Sequence, residues 1–486
     1  MQSGVDLQAL LARARELEAA GDQPAAVRTL MAGLQERPDD PEILMALSAF
    51  SERLGDIGGA LALSDTARRQ GLPAARLHHA GLLERAGRPH EAERLLRDLS
   101  AAQPGNPVPL LRLSYLKRRQ NDYAAAAGIC KHMLQAYPDL AAAWVSAAIG
   151  DYCAGQYEAA DAGFRHALTL DGEDCVARFA FAANLLAMER WLPGFLQFEW
   201  RRRLPDAPPA PADLPLWQGN EPPGTKVLVW NDQALGDALQ FLRYVPLIAA
   251  RGHQPHLLLA PSLVRIAKDM GSSVTAIGET PPPCDVQLPL MSAGSHFGLV
   301  EAPRPYLQAD PDARMWWAAK LKACRGRKVG LVWAGEARSN DFQANLVDRR
   351  RSLPLAQLAP LLEVPGIDWV SLQKGKAAEQ IAELPEHLRP IDWMGQMDDF
   401  ADTASLVAEL DLVVSVDTSV VHLAGSLGVP VWVLSRYAGC WRWPRYRDDS
   451  PWYGDCRIFH QEQPNRWEPV IGMVEAALFA FAANKA

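Results

Sequence analysis

Leu410-Asp411-Leu412-Val413-Val414-Ser415-Val416-Asp417-Thr418-Ser419-Val420-Val421-His422-Leu423-Ala424-Gly425 runs an apolar, β-branched segment straight into Asp-Thr-Ser. A small-residue helix follows, closed by Gly428 and Pro430, and a second apolar run spans Val431 to Leu434. The order is strand, polar loop, helix, strand. In a parallel α/β sheet such a loop lies at the carboxyl end of the strands, where ligands bind, and the first N–H groups of the helix point at the ligand. Thr418, Ser419 and the backbone donors beside them suit a phosphate, and Asp417 and His422 sit close enough in sequence to share the site.

Similar units precede it. Lys226 to Trp230 reads as a short strand that enters Gly236-Asp237 before a helix, and further strands are expected at His256 to Leu259 and Val286 to Leu288. A linker around Pro303 to Asp312 closes this first lobe. A second series has strands at Val329 to Trp333, Trp369 to Leu372, Leu412 to Val416 and Val431 to Leu434, with helices at Asp398 to Glu409 and Trp467 to Ala483. Two α/β lobes with a cleft between them follow from this order. No Gly-x-Gly-x-x-Gly or Walker A sequence occurs, which argues against a dinucleotide oxidoreductase or a P-loop enzyme.

The first 200 or so residues are built differently. Gly21, Gly55, Gly87, Asn121 and Gly155 are spaced 34, 32, 34 and 34 residues apart, and each is followed five positions later by Ala26, Ala60, Ala92, Ala126 or Ala160. Pro38, Pro104 and Pro138 recur seventeen residues after the corresponding Gly or Asn. Each unit reads as two helices joined by a turn residue, packed through a small alanine and ended by proline. The spacing of Trp144, Gly155, Tyr157, Ala160, Phe164 and Ala167 is that of a tetratricopeptide repeat. About five such units are expected, with a degenerate helical pair from Cys175 to Arg203 as a cap. On the concave face the first helices should present Met45, Ala49, Leu77, Leu111, Tyr115, Val145, Ile149 and Tyr152, a largely apolar groove for a protein segment. The alternative is that these residues pack between helices.

Composition bounds the class. The chain has 486 residues, 49% of them hydrophobic, which points to two or three domains. No run of about 18 apolar residues is present to span a bilayer, and the first twenty residues lack a basic start followed by an apolar block. A cytoplasmic protein without an integral membrane segment is expected. The seven scattered cysteines contain no Cys-x-x-Cys pair and read as reduced thiols. A net charge of -8 argues against a nucleic-acid partner. The expected layout is a solenoid with capping helices over 1–203, a Pro-rich linker over 204–224, a Rossmann-like lobe over 225–309, a connector over 310–327 and a second Rossmann-like lobe over 328–486.

The Gly236-Asp237 loop, the Arg349-Arg350-Arg351-Ser352-Leu353 segment and Asp417 to Leu423, in that order, resemble GT-B glycosyltransferases of the ADP-heptose:lipopolysaccharide heptosyltransferase group, glycosyltransferase family 9. Together with the repeats, Trp441-Arg442-Trp443 and Ser450-Pro451-Trp452-Tyr453 resemble a bacterial subfamily of glycosyltransferases that carry tetratricopeptide repeats, flagellin glycosyltransferases among the wider set.

The resemblance implies an α plus α/β fold, a nucleotide-sugar donor, inverting transfer without a metal, and a protein acceptor held by the solenoid. It assigns the base to Asp237, for which a helix N-cap is the bland alternative. It places the donor at Asp417, Thr418, Ser419 and His422, with one of Arg349, Arg350 and Arg351 reaching the phosphates. Asp417 suits a ribose or hydrogen-bond anchor, since a carboxylate repels phosphate. Gln373 and Lys374, after the Trp369 strand, are donor candidates or surface residues. Gly236, Gln240, Trp441 and Trp443 are candidate acceptor or sugar contacts, the tryptophans by stacking or else as a lock between lobes. Asp310-Pro311-Asp312 reads as a chance Asp-x-Asp match, so no metal site is expected. Two rival functions remain: a scaffold with a degenerate nucleotide-binding half, and a transferase for a saccharide or lipid acceptor.

Overall fold

The computed structural model describes residues 6–300, 305–337 and 342–483, except the side chain of Gln343. Pro303 and Arg304 of the expected linker lie outside these residues. The chain falls into two compact units, residues 1–150 and 151–486.

The first unit contains helices α1 (Leu7–Ala19), α2 (Gln23–Glu36), α3 (Pro41–Arg53), α4 (Ile57–Arg69), α5 (Pro73–Arg85), α6 (Pro89–Ala102), α7 (Val108–Arg119), α8 (Tyr123–Ala136) and most of α9 (Ala141–Cys153). The turn residues Gly21, Gly55, Gly87 and Asn121 adopt φ of +80°, +83°, +74° and +61°, the left-handed region where a Cβ is penalised and glycine or asparagine is favoured. The alanines five residues on, Ala26, Ala60, Ala92 and Ala126, are buried where each pair of helices crosses. The 34-residue period is therefore a turn requirement and a packing requirement repeated together.

The expected groove residues are half-buried. Met45 packs against Leu44, Ala67 and Ala75, Leu77 against Ala80 and Leu83, and Leu111 against Cys130, Met133 and Ala143. Tyr115 lies under the guanidinium of Arg119 at 5.2 Å. Ala49 and Ile149 are half-buried, whereas Val145 is buried. The first helices also carry a polar network: Ser48 Oγ contacts His78 Nε2 at 2.9 Å, Arg85 donates to Glu52 at 2.6 Å, and Arg118 donates to the Ser146 carbonyl at 2.9 Å. Paired polar groups thus join neighbouring first helices among the expected groove residues.

The second unit opens with α10 (Tyr157–Leu170), α11 (Cys175–Ala187) and α12 (Trp191–Phe198). The repeat continues through them, because Glu189 stands 34 residues after Gly155 and takes φ of +57° without being glycine. These helices, part of the expected solenoid over 1–203, fold into one compact unit with the α/β lobes that begins at 151. The cause is burial: Phe195 of α12 packs edge-on against Phe241, Trp441 and Trp452, removing about 1.5–3 kcal/mol of apolar surface cost for that ring alone. Tyr152, expected in the groove, likewise meets Tyr157 at 5.9 Å.

Residues 204–224 lack helix and strand, yet they do not form a free spacer. Trp217 is buried, its N–H donates to the Gln287 carbonyl at 2.8 Å, and the Gln287 amide donates to the carbonyls of Ala212 and Leu214.

The first lobe has strands β1 (Lys226–Trp230), β2 (Gln254–Leu259), β3 (Ser273–Ala276) and β4 (Val286–Pro289), with helices α13 (Leu235–Phe241), α14 (Val245–Ala250) and α15 (Ala293–Phe297). All pairings are parallel in the order β3-β2-β1-β4. The expected connector is in fact α16 (Pro311–Lys320), capped by the Asp310 carboxylate accepting from the Ala313 N–H at 2.8 Å. That cap accounts for the aspartate of the Asp-x-Asp match.

The second lobe has β5 (Arg327–Val332), β6 (Ile367–Ser371), β7 (Ile391–Asp392), β8 (Leu412–Val416), β9 (Val431–Ser435) and β10 (Cys456–His460). Its helices are α17 (Phe342–Arg351), α18 (Ala359–Leu362), α19 (Phe400–Val407), α20 (Ser419–Leu427) and α21 (Glu468–Ala483). The parallel order β10-β9-β8-β5-β6-β7 is the doubly wound order, and the chain reverses direction between β5 and β8. The quoted stretch ends at that switch point. No helix among the described residues is long and apolar enough to cross a membrane.

Candidate functional site

A cleft of about 670 Å³ lies between the carboxyl ends of these two sheets. From the first lobe it is lined by Ala234 to Asp237 and Ser262; from the second by Val332, Ala334 to Glu336, Arg351, Gln373 to Gly375, Asp417 to Val420, His422, Arg436, Cys440 and Arg442, among others. The helices α13 and α20 meet at its floor through Gly236. A Cβ there would stand 2.9 Å from His422 Cδ2 and 3.3 Å from the Ser419 Cα, so glycine is what lets the two N-termini approach.

Asp237 occupies the first turn of α13. Its carboxylate accepts from the Ala234 N–H at 3.1 Å and from Arg442 Nη2 at 2.6 Å. The N-cap of α13 is Ala234, so Asp237 is not the cap itself; its carboxylate closes on the N-cap N–H from the first turn, and it lines the cleft as well. Burial pushes its carboxyl above the ordinary range, against the pull of Arg442 and the Ala234 N–H.

Asp417 Oδ1 accepts from the Trp443 indole at 2.8 Å, and its carbonyl accepts from Arg351 Nη1 at 2.7 Å. Burial alone would raise its carboxyl, but Arg436, the Trp443 hydrogen bond, Arg351 and His422 together hold it below the usual value. Thr418 leads into α20, its hydroxyl 3.1 Å from that of Ser415.

His422 is buried, with Nδ1 2.8 Å from the Tyr453 hydroxyl and its ring stacked on Trp443. Burial, reinforced by Arg442, lowers its pKa to about 3 against the opposing influence of Asp417. At neutral pH the ring is uncharged. The folded value lies below the unfolded value of 6.5, so between those limits the unfolded chain binds a proton that the folded one does not. Stability is then lost as pH falls from about 6.5 toward 3, at about 1.4 kcal/mol per pH unit from this group. In chemical denaturation between pH 6.5 and 4.5, His422→Gln is expected to show a shallower acid slope than the parent protein; equal slopes would remove His422 as the cause.

The arginine cluster forms the end of α17. Arg351 reaches the cleft, Arg349 is exposed outside it, and Arg350 does not line it. Arg351 also donates to Asp348 at 3.2 Å. Gln373 is buried, its side-chain oxygen accepting from the N–H groups of Trp333 and Ala334, so its amide organises the end of β5. Lys374 lines the cleft and donates to the Met397 carbonyl.

Three expected contacts are displaced. Gln240 is fully buried behind the cleft, where it accepts from Arg442 Nε. Trp441 and Trp443 are buried and do not line the cleft. Trp441 packs on Phe195 and Trp452, whereas the indole N–H of Trp443 holds Asp417. The stacking reading does not describe these tryptophans, because an enclosed ring has no face left for a sugar. Arg442, between the two tryptophans, lines the cleft, and Arg436 is a cleft cation that the site reading passed over. Arg436 follows β9 directly as Asp417 follows β8, and that position was the available signal. Among the described residues no group of three or more His, Cys, Asp or Glu side chains is arranged to hold a metal ion.

Residues 356–452 match the model of glycosyltransferase family 9 (heptosyltransferase). The match spans the Asp417 to His422 turn and Trp441 to Trp443 but excludes Asp237 and Arg351. A curated relative, protein FlbA of Caulobacter vibrioides, is 28% identical over 437 residues, covering 83% of this chain and 72% of its own length. Solved structures similar to the helical region include a tetratricopeptide repeat protein of Parabacteroides merdae, 18% identical, covering 40% of this chain and 77% of that one with a TM-score of 0.33. Another is a tetratricopeptide repeat protein of Thermus thermophilus, 23% identical, covering 37% and 98% with a TM-score of 0.31. The match to family 9 supports a glycosyltransferase.

Proposed function

We propose that the protein is a GT-B glycosyltransferase that moves a sugar, with inversion, from a nucleotide-activated donor to a hydroxyl of a protein acceptor recruited by the repeats. The observation that carries this reading is that Asp237 and the Asp417 to His422 turn, from different lobes, line one cleft at the switch point of the second sheet. The donor's phosphates lie at the N-terminus of α20 near Arg351, with Asp417 as a hydrogen-bond anchor for the ribose. Asp237 takes the proton of the acceptor hydroxyl as that oxygen bonds to the anomeric carbon. The bond from this carbon to the donor phosphate breaks, and its electron pair leaves with the nucleotide, stabilised by the cleft cations and the helix N-terminus. No metal is assigned a role. Flagellin is the acceptor that the family resemblance suggests.

A thermal-shift panel of UDP, GDP, ADP and CMP tests the donor site. One of them is expected to raise the unfolding temperature, since a ligand at a hundred times its Kd adds about 2.7 kcal/mol to the folded state. Absence of any shift across the panel would sink the reading.

A further inference from the structure

Three consecutive residues after β9 reach three different parts of the second unit. Trp441 enters the aromatic cluster with Phe195 of α12 and Trp452. Arg442 crosses to the first lobe, and Trp443 turns to Asp417 at the end of β8. The Arg442 guanidinium is held by three donated bonds and a ring: Nε donates to Gln240, Nη2 to Asp237, Nη1 to Cys440 Sγ at 3.3 Å, and its Cζ lies 4.0 Å from the centroid of the Trp441 ring. A fork fixed this way delivers one N–H to one carboxylate oxygen in a single orientation. The other oxygen of Asp237 is held by the Ala234 N–H. With both oxygens accepting, the carboxylate is held in one orientation at the cleft wall.

We infer that Arg442 is a positioning residue that reaches across from the second lobe to fix Asp237 for proton transfer, so that the loop carrying the donor anchor Asp417's partner also sets the base. This rests on the transferase reading for its chemistry, though the pairing can be tested without it. The groups around Asp237 are Arg442 and Cys440 from the loop, Asp417 and His422 from the β8–α20 turn, and Asp232 from its own lobe. Asp232 is tied to Arg201 and Asp417 to Trp443, and His422 is uncharged. Arg442 is therefore the positive charge that faces the carboxylate directly.

Carbodiimide labelling of the full-length protein, read by mass spectrometry at Asp237 across pH, follows protonation of this carboxyl. Arg442→Gln is expected to move the labelling midpoint up by about one to three pH units, the usual influence of an adjacent opposite charge, whereas Arg442→Lys restores it toward the parent value. Arg442→Met, which keeps the stem on Trp441, serves as a second charge-free variant if Arg442→Gln does not fold. In transfer assays with the donor found by the nucleotide panel, the acid limb of the kcat/KM profile is expected to shift with the midpoint. An unmoved midpoint in a folded charge-free variant overturns the inference. A moved midpoint without transfer from any donor sustains the Arg442–Asp237 coupling and counts against the transferase instead.

Discussion

Asp237→Asn is expected to reduce turnover by about 10²- to 10⁴-fold, the range that a positioned general base contributes, while nucleotide affinity stays near the parent value. The amide keeps one oxygen, for either the Ala234 N–H or Arg442, and has no basic lone pair to accept a proton. Affinity is spared because the residues assigned to the donor, Asp417 to His422 and Arg351, lie on the other lobe. The raised carboxyl of Asp237 adds a second expectation: parent turnover climbs with pH through a midpoint above the ordinary aspartate value, since only the deprotonated form works as a base. Single-turnover transfer alongside isothermal titration with the matching nucleotide separates the two quantities. Full turnover in Asp237→Asn would remove it as the base; equal loss of affinity and rate would assign it to donor binding.

Arg201→Met is expected to destabilise the second unit by about 3–5 kcal/mol, the cost of leaving a buried partner charge unpaired. Arg201 and Asp232 are each only 3% exposed. The guanidinium donates to Asp232 Oδ2 at 2.9 and 2.7 Å, to Ser292 at 2.8 Å and to Glu199 at 2.8 Å, and Asp232 also accepts from the Met291 N–H at 3.1 Å. These bonds tie the short helical turn after α12 to the loop that follows β1 and leads into Asp237. In the double variant Arg201→Met with Asp232→Asn much of the loss should return, because the deeply buried charge is gone and the more exposed Glu199 still faces Arg202. Chemical denaturation of the four proteins gives the coupling directly; additive losses would show that the pair is not the source. The same network predicts that a catalytic fragment should begin near residue 151, since a cut at 203 would strip Arg201 from Asp232.

Much of this protein is written in local chemistry. A turn residue at positive φ favours glycine or asparagine, Glu189 being an exception, and so Gly21, Gly55, Gly87 and Asn121 mark the repeat in the bare chain. A β-branched run that stops at Asp-Thr-Ser likewise declares β8 and the start of α20, and the strand leading to Gly236-Asp237 declares the other half of the cleft. Strands β3, β7 and β10 escaped because they are short or weakly patterned and exist by pairing with neighbours already in place.

What only the tertiary structure decided are the facts that depend on residues far apart in the chain. Arg442 meets Asp237 and Gln240 across more than 200 residues, and nothing in either local sequence records the pairing. Helix phase and the approach to Asp417 single out Arg351 from its two neighbours, and burial in the aromatic cluster turns Trp441 and Trp443 inward, away from any sugar. The order of strands puts the Asp417 turn at the switch point, and only there do parallel strands diverge enough to leave a crevice for a ligand. Backbone conformation and helix capping are set within a few residues, so the sequence determines them alone. The charge environment of a cleft is a sum over groups brought together by the fold, and that sum is decided by tertiary packing.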